Sequence, residues 1–168
     1  MTATTTLGAY HGDPALKDSV LDQLAEHRRL DQIVQGTYWD GPEDWTPAAG
    51  QDGRGCAVGC LTHDPSGGHA KYPTKWGIPE HLAWLEDRIF ENLPVDAAKA
   101  WPQRFMDAIW PGADLSLVWP KLALAMIEDP GHGTLRYAAG FPEVEAALRQ
   151  VAGLWRAQVG GTPPDESA

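Results

Sequence analysis

The chain has 168 residues, of which 43% are hydrophobic, enough apolar material for one domain with its own core. Its formal net charge is -10, from 13 basic and 23 acidic residues, which disfavours nucleic acid as a partner because binding to phosphates needs a basic face. No run approaches the ~20 apolar residues of a membrane-spanning helix, and the first ten residues lack the features of a signal peptide. We therefore expect a cytoplasmic protein without membrane association, whose two cysteines are reduced thiols.

The first helical pattern covers residues 14–35. Asp13 is a good N-cap and Pro14 suits the first helical position, while Gly36 is a natural stop. His27 lies on the apolar stripe of this helix. We expect it to be a hydrogen-bonded histidine at the boundary of the core.

Helical periodicity is absent from Gly36 to Gly77, a segment rich in Gly, Pro, Asp and Trp. A connection of this length without regular structure is usually functional or disordered. Large aromatic side chains favour order here, because they can bury much apolar area. They are Tyr38, Trp39, Trp45 and Trp76. We predict an ordered loop that packs over the helices and carries a functional site in residues 37–77.

Helical patterns resume after this segment, at Pro79–Asn92, at Pro102–Trp110, from Asp114 or Trp119 through Met126, at a short turn over Thr134–Ala139, and from Pro142 to Gly160. Strand signals are weak, because no sustained run of Val, Ile or Thr alternates with polar residues. The sequence therefore predicts an all-α fold, a single-domain bundle of about five helices over residues 13–160. Residues 1–12 and 161–168 are predicted to be flexible.

Both cysteines and two of the six histidines lie between Cys56 and His69, in the spacing C-x3-C-x2-H-x5-H. Thiolate and imidazole groups suit nucleophilic catalysis and the binding of soft metals. If residues 55–63 form a short helix, Cys56, Cys60 and His63 share one face. Cys56 then lies in the first turn, where the helix dipole and free N–H groups lower a thiol pKa.

The surroundings of Cys56 are typical of a nucleophile. Backbone N–H groups at Gly55 could hold an oxyanion, and Arg54 adds a positive charge. The general base for Cys56 would be His69 or His81, because His63 is two helical turns from Cys56 and within reach of Cys60 instead. Candidates for a carboxylate that orients the imidazole are Asp52, Asp64 and Glu86. The sequence alone does not select among them.

The same side chains suggest a metal site as an alternative. A tetrahedral zinc ion takes four N or S ligands. Four are available, namely Cys56, Cys60, His63 and His69, although their spacing matches no common zinc finger. Iron is the other metal that such ligands suit. A third interpretation assigns no chemistry, with the cysteines as small buried hydrophobes and the histidines in solvent.

The motif Gly55-Cys56-Ala57-Val58-Gly59-Cys60, followed by His63, Gly77-Ile78-Pro79 and Leu85-Glu86-Asp87-Arg88-Ile89-Phe90, resembles a family of uncharacterised bacterial and phage proteins. The similarity runs from about Gly36 through the helix after Asp114. The family carries no assigned activity. The resemblance therefore implies that Cys56, Cys60 and His63 belong to one motif, and it implies no function.

The leading prediction is a small enzyme that uses a cysteine thiolate and a histidine base, without a cofactor, for hydrolysis or group transfer on a small molecule or peptide. Aromatic side chains around the cluster predict a pocket for a planar or cationic ligand. The expected binding residues are Trp39, Arg54, Gly55, Tyr72, Trp76 and Glu86. The first alternative is a zinc- or iron-binding protein, and the second is a non-enzymatic acidic protein whose loop binds a partner. No oligomeric state is predicted.

Overall fold

A computed structural model describes residues 8–46 and 52–161 of the chain. Over these residues the protein is helical, with seven α-helices and no strand, which confirms the predicted all-α class. Two isolated β-bridges join Gly55 to Ile33 and to Trp39. None of the helices in these two ranges combines the length and apolar character needed to cross a membrane. The chain divides into two compact units, Met1–Asp114 and Leu115–Ala168.

The first unit contains five α-helices. They are α1 (Pro14–Arg29), α2 (Ala57–Thr62), α3 (Tyr72–Trp76), α4 (Glu80–Asn92) and α5 (Val95–Asp107), with 3-10 helices at Ala9–Gly12 and His69–Lys71. The second unit contains α6 (Val118–Glu128), a 3-10 helix at Thr134–Tyr137 and α7 (Pro142–Val159). The core of the first unit is formed by fully buried side chains, including Leu24, Leu61, Tyr72, Leu82 and Phe90.

Helix α1 begins as predicted and ends earlier than predicted. The Asp13 side chain accepts a hydrogen bond from the N–H of Ala15 at 2.8 Å, which confirms the N-cap. The helix stops at Arg29 instead of residue 35, because Asp31 adopts a left-handed conformation with φ of 57°. The following residues run beside Gly55, whose N–H donates to the carbonyl of Gln32 at 3.0 Å.

The segment predicted as a loop contains α2, α3 and a 3-10 helix, all too short to show helical periodicity in the sequence. Glycine allows α2 to pack directly on the preceding backbone. A Cβ at Gly59 would lie 1.4 Å from the carbonyl oxygen of Tyr38, and one at Gly55 would lie 2.2 Å from it. Residues 47–51 lie outside the described residues, so the predicted order of the whole segment is not tested there.

Three further boundaries differ from the predictions. Helix α5 begins at Val95 and includes Pro102, which was predicted to start it. Asp114 does not cap α6, which begins at Val118 and places Pro120 in its first turn, where a missing N–H costs little. Tyr10, assigned by the sequence to a flexible N-terminus, is buried and donates its hydroxyl hydrogen to the carbonyl of Met106 at 2.7 Å. Residues 1–7 and 162–168, also predicted to be flexible, lie outside the described residues.

Candidate active site

Cys56 is the N-cap of α2, and its sulfur accepts a hydrogen bond from the N–H of Gly59 at 3.4 Å. The residue is only 1% exposed. Burial raises the pKa of the Cys56 thiol far above its usual range, and the negative charge of Asp87 raises it further. This is the opposite of the lowered pKa predicted from the sequence, because burial outweighs the dipole of a six-residue helix.

The surroundings of Cys60 indicate a structural role. The residue is fully buried, and its thiol points to the carbonyl oxygens of Gly55 at 3.3 Å and Gln32 at 3.7 Å. Burial raises the pKa of this thiol as well. The thiol therefore joins α2 to the chain that follows α1, and its position does not support the predicted catalytic role.

His63 is directed away from Cys56 and towards α1. It caps the C-terminus of α2 in a left-handed conformation, and its Nε2 atom lies 2.9 Å from Nε2 of His27. The other ring nitrogen of His27, Nδ1, lies 2.8 Å from the side-chain oxygen of Gln32. Because an amide oxygen can only accept, Nδ1 of His27 carries the hydrogen. His27 and His63 are called the histidine pair below.

Two tryptophans enclose the histidine pair. Trp45 stacks on His27 with ring centroids 3.9 Å apart, and Trp39 lies 4.6 Å from His63. Both indoles are at most 5% exposed, so Trp39 covers the pair instead of forming a pocket wall as predicted. Burial lowers the pKa of His63 to about 4 and also lowers that of His27. His27 is fully buried and does not lie at the core boundary, where the sequence had placed it.

Asp87 is a common neighbour of His69 and Cys56. The Nε2 atom of His69 is 3.3 Å from Oδ2 of Asp87, and a carboxylate accepts, so Nε2–H donates. The imidazole stacks on Trp84 at 3.6 Å with the rings parallel to within 3°, and Tyr38 meets it edge-on at 5.8 Å. These contacts hold the ring of His69 in one orientation.

Cys56, Asp87 and Glu91 bring one possible metal-ligand atom each to within 4.8 Å of one another. They are called the Cys56–Asp87–Glu91 cluster. Asp87 and Glu91 are one turn apart on α4 and so face the same side. The N–H of Gly36 donates to the Glu91 carboxylate at 3.0 Å. Oδ1 of Asp87 is buried without a hydrogen-bond partner among the described residues.

The predicted ligand set is not assembled. Within residues 8–46 and 52–161, the cluster above is the one place where three such ligand residues meet. Cys60 and His63 are directed to other partners, as described above. The structure therefore does not bring together the four ligands predicted at Cys56, Cys60, His63 and His69.

Several predicted binding residues belong to the core. The Tyr72 hydroxyl donates to Oε2 of Glu86 at 2.7 Å, and both residues are fully buried. Burial raises the pKa of Glu86 to about 8. Trp76 is 5% exposed and packs edge-on against Tyr72 at 4.8 Å. These contacts give all three residues a packing role.

The other predicted residues lie outside the cluster. The backbone N–H of Arg54 donates to the carboxylate of Asp40, and its side chain is exposed. Gly55 is buried against the chain after α1. His81 is exposed on α4 and is not part of the Cys56–Asp87–Glu91 cluster.

A pocket of about 590 Å³ adjoins the cluster. Its lining residues are Gly36, Thr37, Tyr38, Pro65, Trp84, Asp87, Arg88 and Glu91. The α4 members of this set were not among the site residues predicted from the sequence. A signal was present, because Trp84, Asp87, Arg88 and Glu91 recur at spacings of three and four and thus form one polar side of the helix.

Comparison with protein-family models, curated proteins and solved structures finds no match to this chain. The resemblance based on the Cys56 motif therefore stays a prediction. Function has to be argued from the site itself.

Proposed function

We propose that the protein is a metal-dependent enzyme that binds a divalent cation at the Cys56–Asp87–Glu91 cluster and catalyses hydrolysis or group transfer on a small molecule in the adjoining pocket. The observation that supports this most is the convergence of the Cys56 sulfur with carboxylate oxygens of Asp87 and Glu91 within 4.8 Å, where Oδ1 of Asp87 is buried and makes no well-formed hydrogen bond to the described residues. A buried carboxylate oxygen without a partner is costly. A cation between the three side chains would supply the missing interaction.

The donor set suits zinc or ferrous iron. One sulfur and two carboxylates form a mixed soft and hard set of the kind these borderline ions accept. Three protein ligands leave a coordination position for water or substrate, as in catalytic zinc sites. Metal binding also displaces the proton of a ligating thiol, so the high pKa of the free Cys56 thiol is compatible with this role.

His69 would not bind the cation itself but would orient Asp87, one of its ligands. The Nε2–H group of His69 donates to Oδ2 of Asp87 at 3.3 Å, which leaves Oδ1 available to the cation. Hydrogen bonds of this type orient a ligating carboxylate. The parallel contact with Trp84 keeps the imidazole in place. The structure thus supports a positioning role for His69 in place of the general-base role predicted from the sequence.

A metal-free thiol nucleophile at Cys56 is the second candidate. It is favoured by the N–H of Gly59 on the sulfur and by the pair of Asp87 and His69 beside it. Asp87 would accept the thiol proton in this mechanism. The burial of Cys56 weighs against it, because a nucleophile must become a thiolate and reach its substrate.

The test is titration of metal-free protein with Co²⁺, whose bond to a thiolate gives a charge-transfer absorption band. We expect the band in wild-type protein and its loss in Cys56→Ser and Asp87→Asn. Cys60→Ala and Asp96→Asn are matched controls, because the Cys60 thiol hydrogen-bonds to backbone carbonyls outside the cluster and Asp96 is exposed on α5. Equal cobalt binding by wild-type and Asp87→Asn proteins would overturn the proposal. Rapid alkylation of Cys56 without metal binding would support the second candidate.

A further inference from the structure

The pocket beside the Cys56–Asp87–Glu91 cluster has features that define a class of ligand. We infer that it binds a planar ring bearing a carboxylate or phosphate group, with the ring on Trp84 and the anion on Arg88. The inference rests on the proposed function, since it names the substrate class of that site. The pocket volume of about 590 Å³ lies within the range of small-molecule sites, roughly 300–1,000 Å³.

Two aromatic side chains remain available for stacking. Trp84 is 46% exposed and Tyr38 is 38% exposed, although both line the pocket. One buried imidazole positions them, because His69 stacks on Trp84 and meets Tyr38 edge-on. The indole N–H of Trp84 also donates to Glu80 at 3.2 Å. Preorganised aromatic surfaces of this kind favour a flat ligand, since less conformational freedom is lost when it binds.

Arg88 provides the site for the anion. It follows Trp84 by one helical turn, so the two side chains lie on the same side of α4 and both line the pocket. A guanidinium group can donate two parallel hydrogen bonds to a carboxylate or phosphate. The carboxylates of Asp87 and Glu91 also line the pocket and repel an anion, so Arg88 is the positively charged side chain of the lining that can hold one. The ligand is therefore expected to bind with its charge at Arg88.

The experiment measures binding of three flat probes to metal-free and cobalt-loaded protein by calorimetry: 2-naphthoate, 2-naphthyl phosphate and the neutral 2-naphthamide. Comparison of the two anions shows which acid group is preferred. We expect an anion to bind at least about tenfold more tightly than the amide, because a hydrogen bond to a charged group contributes ~1.5 kcal/mol or more. Cyclohexanecarboxylate, which is not planar, should bind more weakly than 2-naphthoate.

Arg88→Gln should remove the preference for the anions and leave amide binding unchanged. Trp84→Leu should weaken all three flat probes. Arg28→Gln, which replaces an exposed arginine on α1, is the matched control. Equal binding of amide and anions by the wild type, or unchanged anion binding by Arg88→Gln, would overturn the inference. Cobalt binding without probe binding contradicts this inference alone, and Arg88-dependent probe binding without cobalt binding contradicts the metal proposal alone.

Discussion

Acidification should unfold the protein through the histidine pair. The pair is enclosed by two indoles, and neutral imidazoles are favoured there because burial penalises the charged form. The pKa of His63 falls from 6.5 to about 4 in the folded protein. The unfolded chain therefore takes up a proton at a higher pH than the folded protein does. Stability is fully present above pH 6.5 and is lost as the pH falls from 6.5 to about 4.

The size of the effect follows from the same values. Each tenfold change in acidity corresponds to ~1.4 kcal/mol, so the difference between 6.5 and about 4 gives a loss of ~3 kcal/mol. His27 adds to the loss, because burial lowers its pKa as well. Two charged neighbours modulate the pair: Lys75 lowers the pKa of His63 further, and Glu26 partly opposes the change at His27. A loss of this size is a large part of the stability of a small domain.

The assay is urea unfolding followed by tryptophan fluorescence and circular dichroism between pH 8 and pH 4. His63→Gln removes the titrating group, while the amide can still donate to Nε2 of His27. We expect the wild type to lose ~3 kcal/mol more than this variant over the interval, with no difference in slope above pH 7. His132→Gln is the control, since that histidine is exposed. Identical pH dependence in the wild type and His63→Gln would refute the reasoning.

Three other outcomes are expected. Native Cys56 should react with iodoacetamide more slowly than a free model thiol at neutral pH, because burial keeps it protonated; mass spectrometry of the labelled cysteine checks this. Gly59→Ala should destabilise the protein by ~3 kcal/mol or more in urea unfolding, because its Cβ would overlap the carbonyl of Tyr38, whereas Gly153→Ala, with nothing within 4 Å of the new atom, should not. Tyr10→Phe should cost ~1 kcal/mol in thermal unfolding, because the carbonyl of Met106 loses the Tyr10 hydroxyl and keeps only the longer hydrogen bond from the N–H of Ile109 at 3.3 Å, and an unchanged Tm would contradict the buried contact.

The fold class could be predicted because the longer helices carry a clear apolar stripe and standard end signals. Asp13 and Pro14 locate the start of α1, and Pro142 locates the start of α7. Among the short elements, the turn predicted over Thr134–Ala139 is present as the 3-10 helix Thr134–Tyr137, whereas those between Gly36 and Gly77 could not be located from the sequence. A helix of six residues such as α2 shows less than two full turns, and its six residues are all buried, so no polar side reveals its period.

The candidate site was predicted in part. Cys56 and His69 do lie near each other through Asp87, but the α4 residues that complete the site were not selected. Their spacing on the helix was visible in the sequence. The pairing of α4 with α2 was not visible in the sequence, because the contacts between these helices join residues far apart in the chain. Those contacts depend on the conformation of the glycine-rich segment. The burial that raises the Cys56 pKa is likewise a property of the packed fold.

The residues of the Cys56 motif belong to two separate sites, because Cys56 and His63 lie at opposite ends of α2. Six helical residues rise about 9 Å, which separates the thiol at the start of the helix from the imidazole at its end. Ligands of one metal ion lie within ~2.0–2.3 Å of it, so Cys56 and His63 at opposite ends of α2 cannot share an ion while the helix is intact. Cys56 instead joins the carboxylates of α4, and His63 joins His27 of α1. Cys60, between them, binds backbone carbonyls and fixes α2 to the rest of the unit. A motif read as a single site is thus divided between a candidate reaction centre and a pH-sensitive core contact.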